Sequence, residues 1–129
     1  MLPDTLLVPA NTPVPEPGKG RAWGSLIGAS AGLAAAELAR SSNAPLVVLA
    51  EDPRHADQLE AEIRFFAGDE LPVLHFVEWE TLPWDSFSPH QDIISQRLDV
   101  LAKLPSLQQG VLIASAPALL QRLPPVDYV

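Results

Sequence analysis

The chain has 129 residues, 16 acidic and 8 basic side chains and a formal net charge of −8, which suits one domain on a prior of about 100–200 residues per domain. Its 47% hydrophobic content excludes a mainly disordered chain, and the lack of cysteine excludes disulfide scaffolds and thiolate metal sites while suiting a reducing compartment. No apolar run approaches the ~18–20 residues of a membrane span, Met1-Leu2-Pro3-Asp4 does not begin a secretory signal, and the acid excess argues against direct nucleic-acid binding, which needs clustered Lys and Arg.

Five of the 14 prolines fall within the first 17 residues, followed by Gly18-Lys19-Gly20. Proline lacks the N–H of a helix and disfavours helix in the residue before it, so residues 1–20 read as an extended leader. Ser25 to Arg40 is rich in Ala, Leu and Glu and predicts a helix, broken at Ser41-Ser42-Asn43. The continuous apolar run Pro45 to Ala50 predicts a strand buried on both faces. Asp52 is the expected N-cap of the next helix and Pro53 its first residue; Ala56, Leu59, Ile63 and Phe66 recur at helical spacing until Gly68. Pro72 to Val77 reads as a second strand and Asp92 to Leu104 as a third helix, with Ile94, Leu98, Leu101 and Leu104 as its apolar face. Ser88-Pro89 offers a cap and first residue for a helix start. Gly110 to Ala114 is the third strand and Pro117 to Leu123 a closing helix. Strands separated by helices predict parallel pairing, hence an α/β three-layer sandwich with a parallel sheet over residues 21–125; 126–129 would begin a connection onward.

In such a fold, the turn into the first helix is where phosphate binds in nucleotide-using proteins. A working phosphate loop carries glycines for backbone approach, a lysine for charge and a hydroxyl for Mg²⁺. Between Trp23 and Leu33 the glycines are present, but the nearest lysine is Lys19 and Arg40 lies at the far end of the helix, so close packing of small residues is the better reading. His55, His75 and His90 lack the i, i+4 spacing of a helical metal site. His90 with Asp92 and Glu80 is a possible acid–base or metal cluster that the spacing does not require. Asp57, Glu60 and Glu62 read as a solvated helix face. No catalytic residue, cofactor or metal is assigned.

The least ordinary segment is Glu78 to Asp92, a long connection holding two of the three tryptophans. Trp79, Trp84 and Phe87 are candidate contact residues for a partner or neighbouring domain. A loop packed on its own domain is the alternative.

Here a resemblance becomes specific. The run Trp79-Glu80-Thr81-Leu82-Pro83-Trp84-Asp85-Ser86-Phe87-Ser88-Pro89-His90-Gln91-Asp92-Ile93-Ile94-Ser95-Gln96-Arg97-Leu98 resembles the bacterial transcription-repair coupling factors (Mfd). The likeness continues through Leu104-Pro105, Gln109 to Ile113 and Leu119-Leu120-Gln121-Arg122. It implies the first domain of a UvrB-like N-terminal module, a RecA-like unit with a degenerate P-loop. Gly28 lies in the loop stretch, Ala31 takes the lysine position and Gly32 the hydroxyl position. The resemblance implies a cytoplasmic parent that uses ATP and Mg²⁺ in later motor domains to displace stalled RNA polymerase and that recruits UvrA. This piece would be a non-catalytic scaffold contacting other domains of that parent, with no nucleic-acid or membrane contact of its own. A nucleotide-binding domain with weak ATP affinity is the alternative.

Overall fold

The computed structural model describes residues 15–82, 84–125 and 127. Most of the expected leader, residues 1–14, and residues 126, 128 and 129 lie outside the described residues. The elements run α1 (Ser30–Ser41), β1 (Leu46–Ala50), α2 (Pro53–Ala67), β2 (Val73–Phe76), α3 (Gln91–Lys103), a 3-10 turn at Leu104–Ser106, β3 (Val111–Ser115) and α4 (Ala116–Leu119). The strands form one parallel sheet in the order β1-β3-β2. Leu46 pairs with Val111 and Ala50 with Ser115; on the other side Val73 pairs with Val111 and Phe76 with Ala114.

Alternation along each strand sorts the side chains into two cores. Ala39 of α1 and Ala56, Leu59 and Ile63 of α2 bury against Ala50, Val73, Val111 and Ile113. Val100 of α3 and Ala118 of α4 bury against Phe76 and Ala114 on the opposite face. Ile63, Ile113 and Val111 are the largest fully buried side chains, each contributing about 1.5–3 kcal/mol of burial. The sheet is therefore flanked by helices on both faces.

Several expected boundaries shift for local reasons. The first helix begins at Ser30 because Ser25 and Gly28 have φ of 61° and 60°, outside helical geometry. Asp52 caps α2 as expected, accepting from the His55 N–H at 2.8 Å, with Pro53 first in the helix. The start of α3 lies two residues beyond the Ser88-Pro89 signal. His90 is its N-cap, its Nδ1 accepting from the Asp92 N–H at 3.3 Å, and Asp92 in the first turn complements the helix dipole. The inward face of α3 carries Arg97 and Val100, whereas Leu98 is 40% exposed. The apolar face read from the sequence is thus turned to admit a charged residue. The closing helix is only four residues long, leaving Leu120 and Leu123 exposed.

The first strand is also not buried on both faces. Val47 and Leu49 are 59% and 57% exposed, because α3 and α4 cover β2 and β3 but leave the adjoining strip of β1 bare. Among the described residues, that layer of the sandwich is incomplete.

Helix ends and turns are tied by side chains. Gln109 Nε2 reaches the carbonyls of Ala39, Arg40 and Ser42 at 2.9–3.1 Å, meeting the unpaired acceptors at the end of α1. Arg40 Nη2 donates to the carbonyls of Phe66 and Ala67 at the end of α2. Gly110 adopts φ of 148°, and a Cβ there would lie 2.7 Å from the Pro72 carbonyl oxygen. That carbonyl also accepts from the Val111 N–H at 2.8 Å.

Gly32 sits where α1 crosses α2. A Cβ on it would lie 2.4 Å from the Glu62 Cβ and 3.1 Å from its carbonyl carbon. Gly32→Ala gains about 1 kcal/mol of helix propensity but must push two backbones apart, an overpacking cost of about 1–3 kcal/mol. Urea denaturation is expected to show net destabilisation of up to ~2 kcal/mol with an unchanged m-value.

Candidate functional site

In open α/β sheets, ligands and partners meet the fold beyond the carboxyl ends of the strands. Here that end carries residues 77–90, joining β2 to α3, and a cleft lined among others by Asp57, His75, Glu78, Trp79, Gln96 and Ser115.

The base of the loop is built on Arg97. The residue is 2% exposed, and its guanidinium lies 4.1 Å from the Phe76 ring centroid and 4.4 Å from that of Trp79. Nη1 donates to the Val77 carbonyl at 2.5 Å and to Gln121 Oε1 at 3.1 Å. Gln121 Oε1 also accepts from the Trp79 N–H at 3.2 Å. One planar cation thereby joins the end of β2, the loop start, α3 and the segment after α4. Burial pushes the guanidinium below its ordinary pKa, and the nearby Glu78 opposes that shift. Nη2 is buried with no hydrogen-bond partner among the described residues.

The three aromatic candidates divide. Trp79 is half-buried and holds Arg97 within the domain. Trp84 and Phe87 are 77% and 80% exposed. Between them and the base, the Leu82 N–H donates to Asp85 Oδ2 at 2.7 Å and the Asp85 N–H to the Leu82 carbonyl at 3.0 Å, closing a turn that carries Trp84 at the surface. The loop is packed at its root, through Trp79, and exposes Trp84 and Phe87 further along.

The phosphate-loop stretch lies elsewhere. Gly28 precedes α1 in an exposed turn, while Ala31 and Gly32 fall inside its first turn. Residues 15–29 contain no strand, so among the described residues no strand leads into α1. The space beside Gly32 is taken by Glu62, whose Oε2 lies 3.1 Å from the position of an added Cβ. A carboxylate at that point opposes a phosphate.

Among the histidines, His90 caps α3 with Nδ1 3.3 Å from Asp92 Oδ2, both exposed, and Glu80 is not part of a ligand-sized cluster with them. His55 lies in the exposed first turn of α2. His75 is the one brought into a group. Its Nδ1 is 2.6 Å from Glu60 Oε2 and 3.9 Å from Asp57 Oδ1. Spacing along the chain concealed this cluster, because His75 is on a strand and the acids are on the preceding helix. The fifteen-residue separation of Glu60 and His75 is closed by the α2–β2 turn. Burial raises the Glu60 pKa, but hydrogen bonds and charge from Arg64 and His75 outweigh it, and the carboxyl lies below its ordinary value.

The sequence places this arrangement among known proteins. Over 112 residues, 87% of the chain, it is 45% identical to the transcription-repair-coupling factor of Escherichia coli K12. Over 88% of the chain it is 33% identical to the protein of that description in Haemophilus influenzae, and over 72% it is 39% identical to that of Mycobacterium bovis. The chain is homologous to part of the bacterial transcription-repair-coupling factors. It spans about a tenth of the length of these curated relatives. No family model matches the chain.

The Arg97 unit has a direct test. Arg97→Ala removes a desolvated double cation–π contact and leaves the Val77 carbonyl without its donor, so unfolding free energy is expected to fall by about 2–4 kcal/mol. Arg97→Lys keeps the charge but loses the planar stack and is expected to recover less than half of that loss. Denaturant melts followed by far-UV circular dichroism provide the measurement.

Proposed function

We propose that this chain is the first, RecA-like domain of the UvrB-like N-terminal module of a cytoplasmic transcription-repair coupling factor, and that it serves there as a non-catalytic scaffold. The observation that carries the reading is the 45% identity over 112 residues to the E. coli factor. On this reading the parent displaces stalled RNA polymerase with ATP and Mg²⁺ bound by later motor domains and recruits UvrA. This domain contacts the parent's other domains and makes no nucleic-acid or membrane contact itself. Among the described residues, no helix is long and apolar enough to cross a membrane.

Two surfaces support a packing role. The bare strip of β1 exposes Val47 and Leu49, and the loop tip exposes Trp84 and Phe87. Apolar and aromatic groups of this kind supply contact area between domains. Glu62 beside Gly32 disfavours the weak ATP-binding alternative.

The test is a chimera. The matched segment of the E. coli factor is replaced by this chain, and displacement of stalled RNA polymerase and UvrA-dependent repair are measured. Retention of both activities is expected; loss of both in a folded chimera overturns the reading. Trp84→Ala with Phe87→Ala is expected to weaken the coupled activity about 30-fold if the pair forms a hot spot of ~2 kcal/mol, with no change in the melting temperature of the 129-residue chain. Full activity in the double variant removes these residues from the contact surface.

A further inference from the structure

Asp57, Glu60 and His75 bring two carboxylates and an imidazole to one point between α2 and β2. Their ligand atoms all lie within 4.8 Å of one another. Asp57 and Glu60 are three positions apart on α2 and so share a face; His75 faces them from the strand. We propose that these three residues form a binding site for a divalent transition-metal ion of the zinc type, held by His75 Nδ1 and one oxygen from each carboxylate, with water completing the shell.

The donor set selects the class of ion. Magnesium and calcium favour sets made of oxygen alone, whereas an imidazole with carboxylates suits zinc and its neighbours. Three protein ligands with one open position is an established pattern for accessible zinc.

The set is also supported from behind. Arg64 donates from Nε at 2.9 Å and lies 2.8 Å away through Nη2, both toward Glu60 Oε1. Arg64 Nη2 donates in turn to the Val73 carbonyl of β2 at 2.9 Å. That arrangement occupies one carboxylate oxygen and turns the other, Oε2, toward His75 and Asp57, as outer-shell hydrogen bonds orient metal ligands. The side chains of His75 and Glu60 are 11% and 24% exposed and sit on regular elements, while Asp57 is 73% exposed and adjoins the cleft, where water can enter. The present 2.6 and 3.9 Å separations bracket the ~3.3 Å edge of a tetrahedron with bonds of about 2.0–2.1 Å. Small side-chain movements therefore suffice.

The experiment is calorimetric titration of the intact chain with zinc, with magnesium as the comparison, and with cobalt as an optical probe. One equivalent of zinc is expected to bind with micromolar or tighter affinity and to raise the melting temperature. Cobalt is expected to give the intense visible absorption of a four-coordinate site. His75→Gln should abolish both signals, while His55→Gln and His90→Gln should leave them intact. Should His75→Gln fail to fold, Asp57→Asn changes an exposed group and is expected to weaken zinc at least tenfold in a folded chain. Millimolar zinc affinity, equal affinity for magnesium, or binding unchanged by Asp57→Asn would each overturn the site.

Discussion

The structure depends on what it does with one buried cation. Arg97 occupies a position that an apolar helix face would give to a leucine, and its charge is offset by two aromatic faces, a main-chain carbonyl and a glutamine oxygen. A guanidinium tolerates this better than an ammonium because it is planar, weakly hydrated and able to stack and donate at once. Removing water from it is costly, so the contacts act as a set. If Trp79 or Gln121 leaves, the remaining partners face an under-compensated charge. This coupling makes the root of the 77–90 loop part of the core. It also gives the end of a four-residue helix a defined place, which so short a helix could not secure by its own hydrogen bonds.

A second constraint acts on the opposite face of the sheet. Glycine in the first turn of a helix can signify phosphate approach or backbone approach. At Gly32 the neighbour is the backbone and carboxylate of Glu62. The same small side that would admit a phosphate has been used to bring α1 down onto α2, and the resulting pair covers one face of the sheet. Among the described residues, the other face receives α3 and the short α4 alone, and Val47 and Leu49 remain open.

Much of this was legible in the residues. The Asp52-Pro53 start of α2 was readable because a side-chain acceptor and a fixed φ act within one turn. The strands were readable because they are short apolar runs between breakers. What was not legible depended on contacts between distant segments. The Val47 and Leu49 faces read as core because alternation is invisible in a continuous apolar run; only the number of covering helices decides which face is wet. The α3 face read as Ile94-Leu98-Leu101-Leu104 because no local rule puts an arginine inward without its rings. The Asp57-Glu60-His75 group read as a solvated face plus a lone histidine because its spacing is closed by a helix–strand turn. The long run from Trp79 to Leu98 carried the family likeness before it carried any geometry. The structure supplies a physical reason for part of that run, since Trp79 and Arg97 stack and Gln121 bridges them.

The division of the loop follows from the same energetics. A surface aromatic contributes more to a contact when its backbone is already ordered, because ordering a loop on binding costs conformational entropy. Arg97 fixes the residues up to Trp79, the α3 cap at His90 fixes the far end, and the Leu82–Asp85 turn divides the span between them. Trp84 and Phe87 are therefore exposed on a loop tethered at both ends and at its middle. The contacts buried at the root are what give the exposed tip a definite shape to offer.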